Sequence, residues 1–247
     1  MPRAQKNPRR GTPRRILVID VGGAHVKFRV DAHGRSQKFV SGPKMGPAHM
    51  VRQIRRLTRD TPYDAVSLGY PGPVVRGRIA AEPHNLGGRW VGFDFARALG
   101  RPVRIINDAA MQAMGTYRGG RMLFLGLGTG LGVALIVDGE VEATEFGHLP
   151  YKRGGSYEDY AGERGRERRG NKKWRKSVRD IIVQLRAVFE ADYVVLGGGN
   201  AVRMKKLPPG TRLGDNQNAF TGGLRLWRGG FSGLGRRAGG AHRQRGG

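Results

Sequence analysis

The sequence contains no cysteine among its 247 residues, which excludes disulfide bonds, cysteine-ligated zinc and thiol nucleophiles. It also has no apolar run approaching the ~18 residues a membrane-spanning helix needs. The opening Met1-Pro-Arg-Ala-Gln-Lys lacks the apolar stretch of a secretory signal, so a cytoplasmic protein is expected. Acidic side chains are scarce: 19 Asp and Glu face 45 Lys and Arg, for a formal charge of +26. Hydrophobic residues make up only 38%, yet a chain of this length can bury most of its apolar surface. One large or two small folded domains are expected.

Glycine is abundant instead, with 42 residues against a usual share of about 7%. Together with so much arginine, this fits either RGG-type disorder or tight turns around phosphate groups. The placement of charge separates these readings. Residues 1–15 and 228–247 contain no acid and supply +11 of the +26. Both stretches have little to bury and read as basic disordered tails. A third concentration, Lys152 to Lys176, adds +6.

Between the tails the pattern is regular. The β-branched run from Ile16 to Asp20 stops at Gly22 and Gly23 and resumes at Val26 to Val30, a hairpin signal. About 106 residues later the run Arg121 to Gly126, the turn Leu127-Gly-Thr-Gly-Leu-Gly132 and the run Val133 to Val137 repeat it, with one inserted residue. A period that long indicates two homologous domains rather than a solenoid. Ala65–Gly69, Val103–Ile106 and Tyr193–Leu196 read as further strands, and Val74–Ile79 as a short hairpin. Met50–Leu57, Asn107–Tyr117 and Val178–Phe189 have helical spacing. Such alternation predicts an α/β protein with an N-terminal domain over 16–106 and a C-terminal one over 107–227, whose last helix packs back on the first.

Backbone N–H groups can converge on phosphate only where glycine allows close approach. The two turns match neither a Walker A loop nor a dinucleotide fingerprint, because each leads into a strand. Asp20 ends the first strand, where a carboxylate can hold Mg²⁺ through water or simply initiate a turn. Asp108 lies at a strand-to-helix junction, suited to take a proton in phosphoryl transfer or to cap the helix. Glu145-Phe-Gly-His148 offers acceptors and donors for sugar hydroxyls, or forms a surface loop. Asn85 and Trp90 are candidates to line a polar pocket.

In order along the chain, Asp20-Val-Gly-Gly-Ala-His-Val-Lys27, Gly69-Tyr-Pro-Gly72, Asn85-Leu86 with Trp90, and Gly100 to Ala109 through Asn107-Asp108 resemble the ROK family of sugar kinases and repressors. The match continues through Leu127–Gly132, Glu145–His148 and Leu196-Gly-Gly-Gly199, and it is most similar to the polyphosphate-using glucokinases of that family. The resemblance implies a two-domain actin-like, hexokinase-like (ribonuclease H-like) fold whose duplicated hairpins grip the donor phosphates. It implies hexose phosphorylation at the 6-hydroxyl by polyphosphate or ATP, with Asp108 as general base. Gly72, Asn85, Asn107, Asp108, Glu145 and His148 would bind the sugar. Asp20, Gly22, Gly23, Lys27, Gly128, Thr129, Gly130, Gly198 and Gly199 would bind the donor, with Mg²⁺ held indirectly by Asp20. A homodimer is implied, and no zinc, because the cysteine-rich loop of many relatives is missing.

Two departures stand out. Ala24 occupies a position where relatives usually carry Thr or Ser, and the Arg-rich stretch 152–176 does not resemble a well-formed lid. That stretch reads equally as a solvated helical face or as a phosphate-binding one. The competing functions are a catalytically weak sugar-binding protein and a basic nucleic-acid binder. Only 15 residues precede the first strand, too few for a winged helix-turn-helix, so nucleic acid is expected only as an accessory, non-specific contact of the basic tails.

Overall fold

A computed structural model describes residues 13–215 and 217–228. The predicted tails, 1–15 and 228–247, lie outside the described residues except for 13–15 and Arg228.

Two five-stranded sheets are built on one plan. The first contains β1 (Ile16–Val21), β2 (His25–Val30), β3 (Gln37–Val40), β4 (Ala65–Tyr70) and β7 (Val103–Asn107), with a two-stranded ribbon, β5 (Val74–Val75) and β6 (Arg78–Ile79), inserted after β4. The second contains β8 (Arg121–Leu127), β9 (Leu131–Val137), β10 (Glu140–Thr144), β11 (Tyr193–Gly197) and β12 (Thr211–Leu213). Their orders, β3-β2-β1-β4-β7 and β10-β9-β8-β11-β12, correspond strand for strand. In each, an antiparallel hairpin leads into parallel strands.

The ladder registers also align the two hairpins. Asp20 faces Lys27 one step before the last pair, Val21 and Val26. The equivalent pair in the second hairpin is Gly126 and Gly132, before Leu127 and Leu131. The second turn, 128–130, is therefore one residue shorter than the first, 22–25. The added length of the second copy lies in its strands, seven residues each against six.

Among the described residues six α-helices fill the layers: α1 (Pro47–Leu57), α2 (Phe95–Leu99), α3 (Asp108–Thr116), α4 (Tyr157–Ala161), α5 (Glu163–Val188) and α6 (Asn218–Arg228). Because side chains alternate across a strand, each central strand feeds two cores. Leu17 and Ile19 of β1 join Met50, Ile54, Leu68 and Trp90 on the α1 side. Leu123 and Leu125 of β8 join Trp174, Val178 and Ile182 on the α5 side. The opposite faces of both strands, Ile16 and Val18 with Met122 and Phe124, enclose α3 and α6 in a shared middle layer.

The last helix binds the first sheet through buried polar contacts. Ser67 Oγ on β4 donates to the Gly223 carbonyl at 2.6 Å and accepts from Trp227 Nε1 at 3.0 Å. Arg29 stacks over Phe220 and donates to Gln217. The stretch from Lys152 to Lys176 forms α4 and the first half of α5, a helical pair anchored by the buried Trp174. At Gly170 the φ of 72° kinks α5. No helix among the described residues is long and apolar enough to cross a membrane.

Candidate active site

A cleft of about 560 Å³ lies where the two hairpin turns meet α3. Of the sixteen site residues singled out in the sequence, fifteen line it: Asp20, Gly22, Gly23, Lys27, Gly72, Asn85, Asn107, Asp108, Gly128, Thr129, Gly130, Glu145, His148, Gly198 and Gly199. The turns approach closely, since a Cβ placed on Gly23 would lie 3.3 Å from Thr129 Oγ1. Trp90 is not among the lining residues. It is fully buried, stacked against Tyr70 and Phe95 under the first sheet, and so belongs to the core rather than to a polar pocket.

The strand-to-helix junction after β7 carries the central polar pair. Asn107 caps α3, its Oδ1 accepting from the Ala110 N–H at 3.1 Å, while its Nδ2 donates to the Gly72 carbonyl at 3.1 Å. One side chain thus joins the helix to the loop after β4. With Asn107 supplying the cap, the following Asp108 is left with one local bond, from the Ala109 N–H at 2.8 Å. Glycine at 132 lets this helix end sit so close: a Cβ there would be 2.8 Å from Ala109 Cβ. Gly198, at a φ of 80°, passes against the backbone of Leu127, where a Cβ would collide.

Electrostatics inside the cleft oppose the charge of the whole molecule. Burial pushes the Asp108 carboxyl up to about 8, and the charges of Asp20 and Glu145 add to the shift. The Ala109 N–H at the helix N-terminus favours the carboxylate, but burial outweighs it. Asp20 is raised to about 6, again by burial, with Lys27 pulling the other way. Glu145 is raised by burial and by Glu158, while His148 and His84 offset part of this. Its Oε2 lies 3.5 Å from His148 Nε2, and the His148 and His84 rings are 5.8 Å apart.

Several lining residues carry no local sequence signal. Gln112 comes from α3, Glu158 from α4, Glu163 from the start of α5 and Asn200 from the loop after β11. Glu158 accepts the Leu131 N–H at 3.0 Å and so supports the second turn. Glu163 donates its N–H to the Gly128 carbonyl, and its carboxylate, bonded by Arg166 and Asn200, is held down at about 2.

The donor set suits a hydrated, oxygen-seeking cation. Asp20 and Asp108 are both half-buried, and the charge of Asp20 raises Asp108, a repulsion that a divalent ion relieves. Among the described residues no cluster of three His, Asp or Glu side chains forms a metal cage. The fit is therefore to Mg²⁺ bound by few carboxylates and completed by water and substrate phosphates.

Comparison with known proteins bears on the fold and the family. A model of the ROK family covers residues 16–176. Polyphosphate glucokinase of Mycobacterium leprae (strain TN) is 27% identical over 203 residues, 73% of this chain and 62% of that protein. Kanosamine kinase of Amycolatopsis mediterranei (strain S699) is 30% identical over 169 residues, 59% of this chain and 55% of that one. The chain thus spans less than two thirds of the length of these curated relatives. Among solved structures, the inorganic polyphosphate/ATP-glucomannokinase from Arthrobacter sp. strain KM superposes with a TM-score of 0.76 at 23% identity, covering 87% of this chain and 98% of that one. A ROK family glucokinase from Streptomyces griseus in complex with glucose and AMPPNP gives 0.67 at 19%, covering 87% and 99%. These neighbours have the actin-like, hexokinase-like fold that the family resemblance implies. With a family match running from β1 into α5, the chain belongs to the ROK family.

Proposed function

We propose that the protein is a hexose kinase that moves a phosphoryl group from polyphosphate or ATP to the 6-hydroxyl of glucose or a related hexose. The observation that carries this reading is the convergence, in one cleft, of two glycine turns and a half-buried carboxylate at the N-terminus of α3. Phosphoryl transfer asks little covalent chemistry of a protein and much positioning, which fixed turns and a capped helix supply.

In this reading Asp108 accepts the proton of the attacking hydroxyl. A carboxyl raised to about 8 is a stronger base than an ordinary aspartate, and it acts in its ionised form. Asn107 fixes the helix end and the Gly72 loop, so sugar and base share one reference frame. Asn85, Glu145 and His148 line the same end of the site and bind sugar hydroxyls. The N–H groups of Gly22, Gly23, Gly128, Thr129 and Gly130, with Gly198 and Gly199, receive the donor phosphates, and Lys27 adds a positive charge. Mg²⁺ held through water by Asp20 supplies charge neutralisation at the transferring group. Closure of the sheets over the substrates excludes water, the competing acceptor. The names of the relatives, one a polyphosphate glucokinase and one a kanosamine kinase, support the substrate class.

The test is hexose 6-phosphate formation by purified protein with Mg²⁺, across a panel of hexoses and with ATP and polyphosphate as donors. Turnover of at least one pair is expected. No turnover with either donor across the panel overturns the reading.

A further inference from the structure

Outside the cleft, a concentration of positive charge lies beside α4 and the first half of α5. Two adjoining cavities of about 310 and 410 Å³ share Lys152, Arg169 and Lys173 as lining residues. Lys176 completes one and Arg153 and Arg168 the other, so six cations line one continuous groove. Its one acidic lining residue, Asp180, is neutralised by Lys152 at 2.6 Å. Among the described residues, Lys152 alone of the six forms an ion pair. Arg153, Arg168, Lys173 and Lys176 are exposed. Six cations against few carboxylates leave a net positive charge, whose mutual repulsion a polyanion relieves.

The groove is rigidly attached to the donor end of the cleft. The single turn of α4 presents Glu158 to the cleft and Tyr160 to the groove. Arg168 donates to the Asp159 carbonyl at 2.9 Å, and Arg169 donates to Ser177 at 2.7 Å across the Gly170 kink. Arg169 also covers the Tyr160 ring at 4.4 Å, and Tyr151 packs edge-on against the same ring. The groove therefore has no free aromatic face on which a base could stack, which single-stranded nucleic acid readers use. Its cations suit a bare phosphate chain.

We infer that this groove binds the distal part of a linear inorganic polyphosphate whose end occupies the cleft, so that donor affinity grows with chain length. The inference rests on the kinase reading above. Holding the chain beside the cleft raises the effective concentration of its end at the glycine turns, a gain that ATP and tripolyphosphate are too short to share.

The test compares wild type with Arg153→Gln/Lys173→Gln/Lys176→Gln. Direct binding of long-chain polyphosphate, tripolyphosphate and single-stranded RNA is measured at several salt concentrations, and kinetics are measured with each phosphate donor and ATP. We expect the triple variant to bind long-chain polyphosphate at least tenfold more weakly. Its log-affinity against log-salt slope should be shallower by about 0.7 per cation removed, the figure for single-stranded nucleic acids. KM for ATP and for hexose, and kcat, should stay within twofold. Unchanged long-chain affinity, an equal loss for tripolyphosphate and ATP, or tighter binding of RNA than of polyphosphate overturns the inference. Should the triple variant fail to fold, Lys173→Gln alone is expected to give a smaller loss of the same selectivity. Absence of all turnover overturns the kinase reading, whereas the binding measurement judges the groove independently.

Discussion

The two hairpins are copies in topology and opposites in chemistry. The first brings its own charge: at the step before the last ladder pair, Asp20 faces Lys27, and both side chains line the cleft. The second has Gly126 and Gly132 at that step, and the space is taken by the N-terminus of α3. Its carboxylates come from outside: Glu158 accepts the Leu131 N–H, and Glu163, whose backbone N–H donates to the Gly128 carbonyl, lines the cleft beside it. The two copies thus frame the cleft differently. One brings charged side chains to it, and the other lacks them at that step, so that the N-terminus of α3 with Asp108 can approach.

The largest effect should come from the residue that this absence admits. Asp108→Asn is expected to lower kcat by roughly 10²–10⁴, the range for loss of a general base, with the hexose KM within threefold. Steady-state kinetics with saturating donor checks it, and a kcat within fivefold of wild type would make the approach of α3 irrelevant to catalysis.

Next, equivalent positions should respond differently to the same side chain. Gly132→Ala places a methyl 2.8 Å from Ala109 Cβ and is expected to cost about 1–3 kcal/mol of stability, as overpacking does, and to lower kcat by displacing α3. Lys27→Ala removes a charge without a clash, so thermal melts should stay near wild type while the donor KM rises several-fold. Equal responses in melting and kinetics would erase the distinction between the two frames.

The buried carboxylates predict a pH dependence of folding. With folded-state values of about 8 for Asp108 and about 6 for Asp20 against 3.8, the native protein binds more protons than the unfolded chain between those limits. Stability in the absence of substrates and Mg²⁺ is therefore fullest below about pH 4 as regards these two groups, and it falls as pH rises to about 8. Tm measured across that window should show a decline that Asp108→Asn makes shallower and Mg²⁺ with a phosphate donor opposes. An identical slope in the variant would place the titration elsewhere.

The smallest effect concerns the first turn alone. Ala24 lines the cleft without a hydroxyl, and Ala24→Thr should lower the donor KM about threefold to tenfold, the worth of one hydrogen bond. A donor KM that does not move would mean that the first frame grips phosphate by its backbone only.

The sequence revealed most where burial wrote a simple pattern. β1, β4 and β11 are nearly continuous apolar runs because both faces are covered, and Asn107 and Asp108 announce the start of α3 by their chemistry. Edge strands were not legible: β3 is mostly exposed and β12 has only three residues, so neither shows a period. Helix α6 holds Gly222 and Gly223, which resemble a turn. Its helical state follows from packing, for the two glycines let it press against Met111 and Val18. In the site, motif residues were visible because glycine turns and capped carboxylates are local features. Gln112, Glu158, Glu163 and Asn200 were not, since only the tertiary fold brings them to the cleft. Trp90 misled for the converse reason: an aromatic beside a polar motif packed inward on Tyr70.

The bonds that tie Ser67 to Gly223 and Trp227 span 156 and 160 residues of chain. During synthesis the first sheet leaves the ribosome early, but the face of β1 and β4 that α6 shares with α3 stays incompletely covered until α6 follows. Vectorial folding of the first half therefore ends in an open intermediate, closed only by the last described segment. A premature stop shortly before residue 218 would spare every strand and still leave a chain exposed to aggregation and to quality control.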